Sequence, residues 1–283
     1  EERSYQATRT TNAAQHRYQR HATTAALAAS MVASLELARA ALVKGGVLRA
    51  GVNLSNFLLV SSRGPNDEPR GVSPSLCLEL ANRLDAELEI VPYANPGLLA
   101  DGAAKGEWAV GLIGAEPARA ATIAFTRPYA EIEATYAVPP GSSYGDVAAV
   151  DAAGCTVAVS RRSAYGLWLE ANLEKASLEQ TAEPGLAASA DLFFDARADA
   201  LAGLRPWLLG LRADDDRFRE FRVLDGRFAT VNQAIGTPRL GREDDALPFL
   251  AAFVDDVTSS GLVADLIRDT GVEGKLSVAA AKK

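Results

Sequence analysis

Histidine, cysteine and basic charge are all in short supply in this chain, and each shortage closes off a class of chemistry. The two histidines, His16 and His21, both fall within the first 21 residues. The remainder holds no imidazole for a catalytic triad or a zinc site. The two cysteines, Cys77 and Cys155, stand alone in apolar surroundings without CxxC spacing. They read as small buried hydrophobes, with no metal or redox signal and no disulfide between them. No run approaches the roughly 20 apolar residues that span a bilayer. Basic residues number 29 against 36 acidic ones, a formal charge of −7, and they are scattered. Nucleic acid rewards clustered cations and is excluded as a partner.

What is present is ordinary for a globular protein: 48% hydrophobic and 23% charged residues in a chain of 283. That length suits one large domain or two lobes and buries about three quarters of the unfolded surface. The stretch Trp108 to Tyr129 organises the chain. Trp108 to Ile113 is an apolar run too short for a helix and closed by Gly114, which predicts a strand buried on both faces. Pro117 suits the first turn of a helix, where its missing N–H costs nothing, and Arg119 falls in that turn. Ile123 to Thr126 reads as a second short extended piece ended by Pro128 and Tyr129. A strand end feeding a helix start, with a guanidinium beside it, is a socket for a small anion. The competing reading makes Arg119 a surface ion pair with Glu116.

The spacing of Arg119, Phe125-Thr126 and Pro128-Tyr129 resembles the signature of the family 3 extracellular solute-binding proteins, receptors of polar amino acid ABC importers. The resemblance covers roughly residues 46 to 272. It implies an α/β, two-lobed type II periplasmic binding protein-like fold. Each lobe would be a mainly parallel sheet flanked by helices, with two crossing strands as a hinge. The strand and helix patterns run in that order. The implied division is 46–137 and 229–272 for lobe 1 and 138–228 for lobe 2, with an extension at 1–45 and a tail at 273–283. The extension reads as helical or disordered. Its polar, Arg-bearing start and Ala-rich run resemble a weak secretory signal, a helical extension, or a mistaken start upstream of Met31. The tail, rich in small residues, is expected to fray.

The resemblance places the ligand between the lobes and gives Arg119 the grip on its carboxylate. Asn53 and Asn56 follow the first strand, and each either meets the ligand or holds its own turn. Gly114, Ala115 and Glu116 stand where amino-acid receptors carry Ser or Thr hydroxyls. From lobe 2 come Arg161, Arg162 and Ser163, the last also a plain helix N-cap. Asn232 and Gln233 lie on the recrossing strand. Amino-acid receptors end a later lobe 2 strand in an Asp that binds the ligand's ammonium. Here Leu204 takes that place, with Arg205 beside it. A buried ammonium without a counter-charge costs several kcal/mol. The expected ligand is therefore a small organic carboxylate and not a standard α-amino acid, with Arg119, Arg205 and Arg161 as cations.

The function expected is that of a periplasmic or extracellular receptor, a monomer without cofactor or metal, presenting its ligand to an ABC permease. Two other functions fit the same fold. One is a dehydratase like cyclohexadienyl dehydratase, which needs a protonated acid in the pocket. Glu116 is the candidate, though an adjacent arginine is expected to lower its pKa. The other is a sensor domain without a transporter.

Overall fold

The computed structural model describes residues 30–280, so the leader-like start of the chain lies almost wholly outside the described residues. Helix α1 runs through 30–42 into β1 (Val43–Lys44). Next come β2 (Val47–Asn53), a small hairpin of β3 (Ser62–Arg63) and β4 (Pro69–Arg70), and α2 (Val72–Arg83). They are followed by β5 (Glu87–Tyr93), α3 (Pro96–Ala104) and β6 (Val110–Gly114). The long strand β7 (Ile123–Val138) leads to β8 (Thr156–Val159), α4 (Ala164–Asn172), β9 (Ser177–Gln180) and α5 (Leu186–Asp195). Strand β10 (Ala200–Leu204), α6 (Arg205–Asp214) and β11 (Arg222–Val223) come next. Strand β12 (Ala229–Pro238) then returns, and α7 (Glu243–Ser259), α8 (Leu262–Asp269) and β13 (Ser277–Val278) close the chain.

Two lobes arise from two parallel cores. In the first, β2 lies between β5 and β6 and is parallel to both. In the second, β8 lies between β9 and β10, again parallel to both. Two long strands join them. Strand β7, 16 residues and so roughly 50 Å of extended chain, pairs antiparallel with β12 from Ala134↔Ala229 to Ile123↔Pro238. The crossing strands therefore make one continuous sheet of the two lobes.

Three local expectations change. Ile123 to Thr126 and the strand beyond Tyr129 are one strand, because Pro128 falls where the ladder is already broken. The register shifts around Ala234, which faces Pro128, so the missing N–H of the proline is not needed. The Ile235 N–H freed nearby is taken up by Thr126 Oγ1 at 3.3 Å. No helix follows β6: Pro117–Arg119 is a single 3-10 turn before the chain enters β7. The tail is also anchored, since Ser277 and Val278 pair with Glu131 and Ala130 at the middle of β7.

Apolar spacing sets the core. Leu76, Cys77, Leu80 and Ala81 of α2 are fully buried, and burial pushes the Cys77 thiol up to about 12. Both cysteines are free and buried. Trp108, 2% exposed, lies across the paired glycines Gly51 and Gly111 of β2 and β6, and its indole N–H donates to the Leu99 carbonyl at 3.0 Å. It packs the floor beneath β6 and is no stacking platform. Replacing Trp108 with Ala leaves a cavity under that strand and removes the indole's hydrogen bond to Leu99. We expect a loss of about 3–5 kcal/mol in urea unfolding.

Candidate ligand-binding cleft

The carboxyl ends of the parallel strands of both lobes converge on one cleft, of about 100 Å³. The first lobe contributes Asn53, Asn56 and Phe57 after β2, Asn95 and Pro96 at the start of α3, and Gly114 and Arg119 after β6. The second contributes Ser160, Arg161 and Ser163 between β8 and α4, Tyr165 in the first turn of α4, and Leu204 at the end of β10. Val231 and Gln233 of β12 complete the wall between them.

Arg119 is 5% exposed. Its Nη1 donates to the Gly114 carbonyl at 2.8 Å, and its Nη2 crosses to the second lobe to donate to the Arg162 carbonyl at 3.2 Å. The other guanidinium N–H groups have no partner among the described residues. Burial pulls the Arg119 pKa down to about 10, against the opposing charge of Glu116, so the side chain stays cationic at neutral pH. Glu116 is itself 8% exposed and acts on Arg119 by charge, without a hydrogen bond between the two. The pair is neither on the surface nor a contact ion pair. The expected lowering of the Glu116 pKa is reversed, because loss of solvent outweighs the field of Arg119 and the carboxyl is raised.

The other sequence candidates divide by position. Asn53 and Asn56 line the cleft while their side-chain oxygens hold turns, accepting from the Ser55 N–H at 3.1 Å and the Leu58 N–H at 3.2 Å. Holding a turn and facing the cleft are compatible, since each amide NH₂ is left over. Ser163 caps α4, accepting from the Gly166 N–H at 2.9 Å and donating to the Ser160 carbonyl at 2.8 Å. Gln233, 4% exposed, faces the cleft with its side-chain amide unpartnered among the described residues. Arg161 stands exposed at the rim. Ala115 and Glu116 are not part of the wall, and the Ala115 N–H is held by the Asn232 carbonyl at 2.8 Å. Leu204 does face the cleft, but Arg205 turns away from it. The Arg205 Nε donates to Glu133 at 2.8 Å and its Nη1 to the Leu224 carbonyl at 3.1 Å, while Nη2 reaches the Gly226 carbonyl. Glu133 takes Arg227 as well, at 2.7 Å.

Arg162 also leaves the main cleft, to clamp the lobes together. Its Nη1 and Nη2 reach the two Asp101 oxygens of α3 at 2.9 and 2.6 Å, and Nη2 also meets the Gly97 carbonyl at 3.1 Å. Gly97 is needed for this approach, because a Cβ there would stand 3.0 Å from the guanidinium carbon. The sequence reading passed over Asn95 and Tyr165. Asn95 announces itself only as the cap of α3, accepting from the Leu98 N–H at 2.9 Å. The Tyr165 hydroxyl is buried with no hydrogen-bond partner among the described residues, a fact that only tertiary structure supplies.

A two-lobed α/β molecule with a cleft between its lobes and a buried cation in it is built to take a small molecule. The model of the bacterial extracellular solute-binding proteins, family 3, matches residues 48–269, and the chain belongs to that family. Members are periplasmic or extracellular proteins that bind small molecules and serve ABC importers of the amino-acid type. The solute receptor for L-cysteine of Neisseria gonorrhoeae is similar at 18% identity and TM-score 0.66, covering 86% of this chain and 100% of its own. An amino acid ABC transporter substrate-binding protein of Streptococcus pneumoniae, bound to L-arginine, is similar at 18% and 0.61, covering 80% and 94%. An ancestral amino acid-binding protein, a precursor of cyclohexadienyl dehydratase, gives 19% and 0.59, covering 79% and 95%. At these identities the likeness is one of fold. No curated protein sequence matches the chain significantly.

The Arg162–Asp101 clamp carries a prediction for the free protein. Hydrogen bonds from Arg162 hold the Asp101 carboxyl below the usual carboxylate range. Such a group favours the closed form above its ordinary pKa of about 3.9 and loses that contribution as pH falls through the depressed value. Asp101→Ala should raise the radius of gyration of the ligand-free protein in small-angle scattering at pH 7. The wild type should expand likewise only in more acidic buffer, the partly exposed pair shifting the open–closed ratio about two- to fivefold.

Proposed function

We propose that this protein is the receptor of an ABC importer and closes its lobes over a small organic carboxylate gripped by Arg119. The carrying observation is a buried guanidinium whose remaining N–H groups have no partner, in a cleft whose wall includes no acidic side chain among the described residues. A carboxylate meets that fork with two hydrogen bonds. The ammonium of a standard α-amino acid would face Leu204 without a counter-charge, which disfavours the ligands named for the similar receptors. Asn53, Asn56, Ser163 and Gln233 are the further contacts we assign, while Arg161 stays at the solvent rim. Closure follows from ligand contacts to both lobes at once, which favour the closed state by their differential affinity. Export to the periplasm or cell exterior, a cognate permease and a monomeric state complete the reading on the strength of the family.

A dehydratase would need an acid facing the ligand. The raised pKa of Glu116 suits a general acid, but its carboxyl is not part of the cleft wall, so binding is the reading preferred here.

The test is a thermal-shift screen of monocarboxylates, dicarboxylates and amino acids. A ligand at about 100 times its Kd stabilises by about 2.7 kcal/mol. Arg119→Ala should abolish the shift, and Arg119→Lys, which keeps the charge without the fork, should retain only part of it. Stabilisation by α-amino acids alone would overturn the carboxylate assignment. A shift that survives Arg119→Ala would overturn the grip.

A further inference from the structure

We infer that the cleft selects a short 2-oxo monocarboxylate over the amino acid of the same carbon skeleton, an inference that rests on the receptor reading above. The hydrogen-bonding groups around the cavity are unequally free to meet a ligand. Its acceptors are mostly consumed by local structure. The side-chain oxygens of Asn53, Asn56 and Asn95 each accept a backbone N–H of their own turn or helix start, at 3.1, 3.2 and 2.9 Å. Ser160 Oγ accepts the Gly185 N–H at 3.0 Å, and Ser163 Oγ accepts that of Gly166 at 2.9 Å. What remains is rich in donors: the free guanidinium N–H groups of Arg119 and the three asparagine NH₂ groups, none with a partner among the described residues. Gln233 offers an uncommitted carbonyl alongside its own NH₂, and the unpartnered Tyr165 hydroxyl can donate or accept.

Such a wall suits a ligand made of acceptors. A carboxylate with a neighbouring carbonyl oxygen takes donors at every polar atom. An ammonium brings three donors and a full charge, and it finds one amide oxygen, one neutral hydroxyl and no carboxylate to balance the charge. A second carboxylate is no better served. The guanidinium of Arg205 is occupied by Glu133, and Arg161 stands in solvent at the rim. Beside the polar groups, Leu204 and Val231 give the ligand's carbon chain an apolar bed. The volume of about 100 Å³ keeps that chain short; a cavity of about 150 Å³ admits benzene.

The experiment is isothermal titration of protein freed of co-purifying ligand by unfolding and refolding. Pyruvate, 2-oxobutyrate and 2-oxoisovalerate are compared with alanine, 2-aminobutyrate and valine, with succinate as the dicarboxylate. At least one 2-oxo acid should bind ten times or more tightly than its amino counterpart, with no detectable binding of succinate. Leu204→Asp, which places a carboxylate at the cavity wall, should reverse that preference by a similar factor. An amino acid or succinate that binds as tightly, and is lost in Arg119→Ala, overturns the ligand class and leaves the receptor reading standing. If only other carboxylates stabilise the protein in the thermal screen, the class again falls alone. If no carboxylate or amino acid stabilises it at all, both readings fall.

Discussion

A guanidinium held away from water without a carboxylate in contact is the constraint on which this structure turns. Moving such an ion out of solvent costs several kcal/mol even after relaxation. Here the cost is met by two carbonyls, one from each lobe, and by the field of the buried Glu116 nearby. The arrangement requires β6 to stop at Gly114, the chain to double back in a single tight turn, and the turn before α4 to come close from the other side. Loosen any of these and the charge returns to solvent. The cleft is therefore a consequence of how Arg119 is housed as much as a space left between lobes.

The same economy governs the joint. Strands β7 and β12 run through both lobes, and their ladder is irregular at one place within the first lobe's sheet. That place lies beside Gln233, whose side chain faces the ligand space, and beside the residues to which the C-terminal strand pairs. Bulges of this kind re-aim side chains and weaken pairing locally. A residue of the cleft wall and an irregularity of the ladder thus sit side by side on one strand.

Much of this was legible in the sequence wherever the signal was local. The buried run from Trp108, the alternation of strands and helices and the Ser163 cap are all patterns over a few residues, and all are present. The landmarks Arg119 and Leu204 fell on the cleft wall for the same reason. Partners far away in the chain were not legible. Arg205 finds Glu133 at a separation of 72 residues, and Arg162 finds Asp101 at 61. No local rule foretells either, so a cation expected in the site is spent on structure and another becomes a clamp. Pro128 misled for a different reason, since a proline breaks a strand only where its N–H is needed. Glu116 shows that charge proximity alone does not set a pKa; how much water remains decides the sign.

Arg162 deserves a last remark because two duties meet in it. Its carbonyl receives Arg119 and its guanidinium holds Asp101, while its own backbone sits in the left-handed region at φ 58°. Branched side chains are nearly barred from that conformation. Drift at this one codon would therefore loosen the seam between the halves and the seat of the buried cation in the same step, which leaves the position far less room to vary than its half-exposed side chain would imply.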